Sequence, residues 1–491
     1  MAKSNIISWI KPYRELTLEN ETVFCKPCGK SISCGRKYLI DQHCGTQLHK
    51  RNCEKSKSAG MYQISMRQSI AVKKNKSEEE QFKFDLCKCL ISSNIPLNKL
   101  SNPAFKGFLE KYCNKIIPDQ TTLRKKYVED CYRETMVNIQ EIVKNRYLFF
   151  VVDETTDVCG RYIANLMVGV LGENCSNKPF LISCKQLDKT NNATISRFIQ
   201  DGLTNLFLPG ALPIDKVLLM LSDAAPYMVK AAQNLRIFYP NLIHNTCLAH
   251  GINRVAEEIR NQFPLVNELI NNVKKVFVKA PLRVQFYRET LPNTPLPSKP
   301  VLTRWGTWIE AALFYSEHFQ GIKKVLSELT DDSSAAIIES KKILANSQLS
   351  QQLAYISCYF SVLPKLFLDL EKQGTLLVDS VELIENFGKN IENLKDKKGY
   401  CISKKWQEVL RKNEGFQILK NVAMVLNGEF VEDLTMTPDI ISALSNAPIT
   451  SVDVERSFSA YKLILSDRRH SFLADNIEKH LIVSLYQSCN N

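Results

Sequence analysis

The sequence has no apolar run approaching the roughly 20 residues a membrane span needs, so no membrane attachment is expected. No secretory leader is expected either. The opening MAKSNIISWIKPYRELTLEN has too short an apolar stretch and too many charges behind it. Without export, the 16 cysteines are expected as reduced thiols or metal ligands rather than disulfides. Acid is scarce at the front. Residues 1–76 hold 15 Lys and Arg against 5 Asp and Glu, a net of +10, whereas the other 415 residues carry only +3. A basic front end on a nearly neutral body points to nucleic-acid binding by that front end.

What is present reads as a soluble globular chain of several domains: 491 residues, 44% hydrophobic and 23% charged. Two of its apolar runs drive straight into acid. In FFVVDETTD (149–157), aromatic and β-branched residues that suit a buried strand lead into Asp153 and Glu154. In KVLLMLSDAAPYMVKAA (216–232), Val217 to Leu221 lead to Ser222 and Asp223, with Pro226 opening a helix. A lone strand-end aspartate is ordinarily a turn cap. Two on neighbouring strands would bring carboxylates together, and close carboxylates are tolerated mainly around a divalent cation. A carboxylate metal site on an α/β scaffold is therefore expected.

The basic front end contains a second ligand pattern. FCKPCGKSISCGRKYLIDQHCGTQLHK (24–50) has Cys25-x2-Cys28, fourteen residues, then His43-x5-His49. A cysteine pair on a knuckle and a histidine pair on a following helix suit tetrahedral zinc. Tyr38, Leu39 and Ile40 are expected to cover the site, and Cys34 and Cys44 are competing thiols. Lys30, Arg36, Lys37, Lys50 and Arg51 flank it and would contact phosphates. Residues 52–77 read as a basic linker, with Lys73-Lys74-Asn75-Lys76 either a nuclear address or simply solvated. Helical spacing follows over EEEQFKFDLCKCLISSN, SNPAFKGFLEKYC and 119–145. These helices either add a second DNA contact or only pack.

The series of finger, helices, strand-Asp and strand-Asp resembles the hAT superfamily of DNA transposases. Cys247-Leu248-Ala249-His250, Arg304-Trp305 and the carboxy-terminal PITSVDVERSFSAYKLILSDRRHSFLADNIEKHLIVSLY (448–486) look like further elements of that family. The first 150 residues, NIPLNKLSNPAFKGFL (94–109) above all, also resemble a stand-alone DNA-binding relative of these transposases. The resemblance implies an RNase H-like α/β core with the triad Asp153, Asp223 and Glu455, holding Mg2+ or Mn2+ for strand cleavage and joining on double-stranded DNA. It implies that His250 contacts DNA beside the active site and that Trp305 stacks on a flipped base, with Arg304 next to it.

The residues themselves agree with such a core. Apolar runs at 147–153, 162–171 and 179–183 predict three strands in series, followed by a helix at 193–206, a strand at 216–222, a helix at 225–236 and a short strand near 242–247. Glu455 lies almost 200 residues further on, so an insertion must loop out and return. The expected organisation is a zinc finger at 20–57, a helical domain at 78–146, the core at 147–261, an all-α insertion at 262–440, and the end of the core with a dimerisation region at 441–491. Asp157, Glu154 and His244 read as structural. The apolar carboxy-terminal segment 470–487 is expected to join a homo-oligomer. The protein is expected in the nucleus as an active transposase; the alternative is a transposase-derived DNA-binding regulator without catalysis.

Overall fold

A computed structural model describes residues 3–13, 15–19, 22–28, 30–32, 36–54, 77–172, 178–207, 211–297, 300–301, 305–330, 334–432, 434–465 and 472–490. The chain divides into two compact units: Met1–Thr246 with Val431–Asn491, and Cys247–Phe430.

The first unit begins with helix α1 (Lys3–Ile10) and an antiparallel sheet of β1 (Leu16–Glu19), β2 (Thr22–Cys25) and β3 (Lys30–Ile32). Helices α2 (Lys37–Gly45) and α3 (47–54) follow. Ile6 and Leu16 join Val23, Ile32 and Ile40 in one small core, so this module starts near residue 3 and not at 20. Tyr38, expected to cover the module, is 58% exposed, while Ile40 is fully buried. The expected linker is shorter than its sequence suggested, because 52–54 complete α3 and Asn52 is buried. Its remainder, with the Lys73–Lys76 run, lies outside the described residues.

Next come α4 (Glu78–Ser92), α5 (Pro103–Cys113) and α6 (Gln120–Thr122), which continues through one π-helical stretch (Leu123–Tyr127) into α7 (Val128–Val143). Ser77 caps α4 and Asn102 caps α5, each accepting backbone N–H groups that a helix start leaves unpaired.

The main sheet has the order β6-β5-β4-β7-β8, from β4 (Tyr147–Thr156), β5 (Tyr162–Leu171), β6 (Phe180–Leu187), β7 (Val217–Ser222) and β8 (Ile243–Thr246). β4, β5 and β6 are antiparallel neighbours, whereas β4, β7 and β8 run parallel. Leu148 to Val152 and Val217 to Leu221 are buried without a polar break, because helices cover both faces of a parallel sheet. At the crossing of Phe149 with Gly169 the ring lies over the glycine. A Cβ there would sit 2.2 Å from Phe149 Cε1, so no larger residue fits. Helices α8 (Asn192–Leu206) and α9 (Pro226–Leu235) pack together; an Asn191–Thr194 capping box starts α8 and Pro226 starts α9.

The second unit is helical throughout its described residues: α10 (Leu248–Gln262), α11 (Pro264–Phe277), α12 (Pro281–Thr290), α13 (Thr307–Glu317), α14 (Phe319–Glu328), α15 (Ala335–Leu344), α16 (Ser347–Phe360), α17 (Leu363–Leu370), α18 (Leu377–Glu392), α19 (Lys397–Arg411) and α20 (Glu414–Leu426). It begins at Cys247 rather than 262, because α10 packs on α19; Gly251 lies so close to Val409 that a Cβ would meet Cγ1 at 2.6 Å. Ser347–Leu370 is long and apolar enough to span a membrane by composition, with mean hydropathy 1.4. It is nevertheless split into α16 and α17, and Leu349, Leu353, Ile356, Phe360 and Leu363 are core.

The chain returns to the first unit with α21 (Pro438–Ala443), α22 (Val452–Ile464) and α23 (Ala474–Asn490). α23 packs on β6, α7 and α4, and buries Ile477, Leu481, Ile482 and Val483 within the chain. Buried Glu478 pins it: Oε1 accepts from Ser183 Oγ and Cys184 N, both at 3.0 Å, and Oε2 from Lys185 Nζ at 2.6 Å. Four residues of the apolar segment are thus buried internally, while Phe472, Leu485 and Tyr486 are half-buried and Leu473 is 70% exposed. Leu481→Ala should cost about 2–5 kcal/mol of stability. Leu481→Asp should unfold this unit; circular dichroism with light scattering checks it, and dissociation of a folded oligomer is the contrary result.

Candidate functional site

The structure brings Cys25, Cys28, His43 and His49 together, with one ligand atom from each within 4.8 Å of all the others. Cys25 ends β2, Cys28 follows its turn, His43 lies in α2 and His49 in α3. His49 Nδ1 is 3.4 Å from Cys25 Sγ and 3.5 Å from Cys28 Sγ. Those separations suit two ligands sharing a tetrahedral ion with metal–sulfur and metal–nitrogen bonds of about 2.3 and 2.0 Å. His43 Nε2 is buried without a hydrogen-bond partner. Two thiols and two imidazole nitrogens this close together are a soft, tetrahedral donor set, so the residues fit a thiophilic ion such as zinc. The thiols behave as a pair: the hydrogen bond from Cys25, helped by His43, Asn52 and His49, holds Cys28 at about 3, while Cys25 is raised.

Three surrounding residues were not evident from the sequence. Glu15 Oε1 lies 3.2 Å from His49 Nε2, which leaves Nδ1 as the ligand atom. Cys53 Sγ is 3.3 Å from the same Nε2. Asn52 Nδ2 donates to Cys28 Sγ at 3.5 Å, and Asn52 Oδ1 accepts from Arg197 Nη1 of α8 at 2.6 Å. With Phe24 edge-on to Phe238 at 4.3 Å, this holds the finger against the main sheet's helices. Cys44 is buried beside Glu15 and His49 as a second ligand group, its thiol pushed up to about 11 by burial. Cys34 lies outside the described residues. Arg36, Lys37 and Lys50 are exposed.

The acids lie at the other candidate site. Parallel register pairs Val151 with Leu221, and two residues further along each strand stand Asp153 and Asp223. Continued by two residues, that register sets Asp153, inside β4, level with Asp223, the residue just past β7, on the side where open α/β sheets place their ligands. α22, which carries Glu455, packs on β4 and β5. Asn165, the cross-strand partner of Asp153, donates to Ser457 Oγ at 2.7 Å, two residues past Glu455. Tyr461 also ties α22 to the sheet, donating to Asp157 Oδ2 at 3.0 Å, the oxygen that accepts from Arg161 Nε at 2.7 Å. Against its desolvation, these bonds hold Asp157 below its ordinary value. The three acids do not converge within 4.8 Å as the finger ligands do.

Glu154, by sequence a structural residue, is part of this acidic end. Burial, with the Asp223 charge adding, raises its carboxyl, although Tyr227 of α9 donates to Oε1. His244, in β8, lies 2.9 Å from Ser222 Oγ, and burial lowers it to about 4. In the helical unit, His250 of α10 meets Trp305 edge-on at 5.2 Å, and Trp305 stacks on Phe367 at 6.0 Å. Arg304 lies outside the described residues.

Comparisons agree with two parts of this picture. Residues 118–276 match a family described as a domain of unknown function (DUF659), found in hAT-family transposase-like proteins. Residues 73–130 match the CGGBP1 helical domain. CGG triplet repeat-binding protein 1 of Homo sapiens is 28% identical over 123 residues, 24% of this chain and 74% of that protein; its Mus musculus counterpart gives the same figures.

Metal analysis of the full chain should give one thiophilic ion, lost in Cys25→Ser. Glu15→Gln should weaken its binding roughly 10- to 100-fold, measured by competition with a chelator. Because His244 has a folded value near 4 against 6.5 unfolded, the unfolded chain takes up its proton first. Stability should therefore be full above about 6.5 and fall as pH drops towards 4, a slope that His244→Gln removes in urea unfolding.

Proposed function

We propose that the protein is a nuclear, hAT-type transposase-like DNA-binding protein that cuts and joins strands of double-stranded DNA. The observation that carries this reading is the parallel register of β4 and β7, which continued by two residues brings Asp153 level with Asp223 just past β7, with the Glu455 helix packed on the same sheet. Three antiparallel strands continuing into two parallel ones support an RNase H-like core. Carboxylates are the donors that hard cations such as Mg2+ or Mn2+ take. Asp153, Asp223 and Glu455 would hold them, and such ions activate an attacking hydroxyl and neutralise a leaving phosphodiester oxygen. The chain's own contribution is positioning. Asn165–Ser457 and Asp157–Tyr461 hold α22 in register with the strand ends, so Glu455 approaches on a braced helix. The finger's Arg36, Lys37 and Lys50 would bind phosphates, which gives affinity without reading sequence.

A second reading keeps the DNA binding and drops the cleavage. It is favoured by the spread of the three acids beyond 4.8 Å and by the similarity to CGG triplet repeat-binding protein 1, whose name states what that protein binds. Oligomerisation is proposed on functional grounds alone, since two ends cut together need two active sites.

The deciding experiment incubates the full chain with duplex DNA bearing the terminal repeats that flank its coding region, in Mg2+ or Mn2+. Cleavage is expected from the unaltered protein. Asp153→Asn, Asp223→Asn and Glu455→Gln should each abolish cutting and leave binding intact. An unaltered protein that binds and never cuts establishes the second reading.

A further inference from the structure

We propose that α5 is a second nucleic-acid surface, with Phe108 and Tyr112 stacking on unpaired DNA bases while Lys106 and Lys111 hold the adjoining phosphates. The inference rests on the DNA-binding reading above and adds the form of DNA that this helix takes.

α5 is well formed, with Asn102 capping it and Pro103 in its first turn, yet it buries none of its side chains. Phe108 is 58% exposed, Tyr112 67% and the following Ile116 75%. Only Phe105 and Leu109 are half-buried, so the Phe108–Tyr112 face lacks the burial that ordinarily holds short helices in place, and such a face marks an interaction site. The two rings lie 4.9 Å apart at 46°, neighbours on one turn of the helix. A Cβ at Gly107 would meet nothing within 4 Å, so the space beside Phe108 is open.

Charge identifies the occupant. Residues 99–126 carry seven Lys and Arg against Glu110 and Asp119, a net of +5, of which Lys115 and Lys126 pair with Glu78 and Glu80 of α4 and the rest stay in excess. Lys106 pairs with Glu110 at 3.7 Å and Lys111 stands 5.2 Å over the Tyr112 ring, both at the surface where such pairs hold weakly. A second copy of the chain would bring the same positive face against itself. A polyanion complements it. Duplex grooves are read by hydrogen-bonding side chains on base edges, whereas the most exposed large side chains of α5 are the rings of Phe108 and Tyr112. Its exposed aromatic rings instead match the open faces of unstacked bases, and lysines beside rings are the usual composition of single-strand sites.

The test uses the full metal-loaded chain and labelled DNA of one sequence, as a single strand and as a duplex, in fluorescence anisotropy. Phe108→Ala with Tyr112→Ala should weaken single-strand binding roughly 10-fold or more and leave duplex binding unchanged. Phe108→Leu with Tyr112→Leu should be as weak, and Phe108→Trp with Tyr112→Trp should restore binding, since stacking needs a ring and an apolar protein contact does not. Lys106→Gln with Lys111→Gln should flatten the salt dependence for the single strand. Unaltered single-strand affinity in the alanine variant overturns the proposal, as does a changed oligomeric state without DNA, which would assign α5 to a protein contact. A chain that binds neither form of DNA sinks the functional reading as well; intact duplex binding confines the failure to α5.

Discussion

The parallel ladder between β4 and β7 is the constraint on which the acidic end of the molecule depends. Its register fixes Asp153 level with Asp223, and a slip of one residue would turn one carboxylate to the opposite face. The register is protected by burial: five consecutive apolar residues of β4 and five of β7 are inaccessible, so slipping exposes several large side chains together. The Phe149–Gly169 fit locks β4 against β5 on its other edge. The order of the acids is therefore a consequence of hydrophobic packing some way from the chemistry.

The carboxylates of that region have been given different environments. Asp157 has an Arg161 guanidinium and the Tyr461 hydroxyl, and stays ionised as a brace. Glu154 has burial and a neighbouring negative charge, and is driven towards its protonated form. Near-identical residue types five positions or fewer apart thus separate into a structural anion and a poised acid, and Tyr227 and Asp223 complete the second environment. A bound cation would relieve part of the pressure on Glu154, because it would neutralise the Asp223 charge that adds to burial.

Much of this was legible in the sequence where period and burial speak together. The strands expected at 147–153, 162–171 and 216–222 follow from apolar runs, and the helix at 225–236 from Pro226; β4 runs on to Thr156, and the Asn191 cap of α8 shows only in the structure. The finger ligands follow from spacing. What stayed hidden depends on contacts between distant segments. Ile6 joins the finger core, Glu15 reaches His49 across 34 residues, and α10 goes with the helical unit through Val409. The packing of the carboxy-terminal helix was not legible for a definite reason. Its apolar content suits either a partner chain or the chain's own sheet, and only Glu478, bonded to β6, distinguishes the two.

The Asn52 side chain joins the two candidate sites mechanically. It donates to a metal-ligand sulfur with one end and accepts from Arg197 of α8 with the other, while fully covered. A thiolate bound to a metal is a better-defined acceptor than a thiol that can rotate its proton, so the bridge is firmest when the finger is loaded. α8 in turn packs on α9, whose first turn carries Tyr227 at the acidic strand ends. The finger is consequently seated on the same helical layer that borders the carboxylates, and DNA held by its exposed Arg36, Lys37 and Lys50 would be positioned by the fold and not by a free tether.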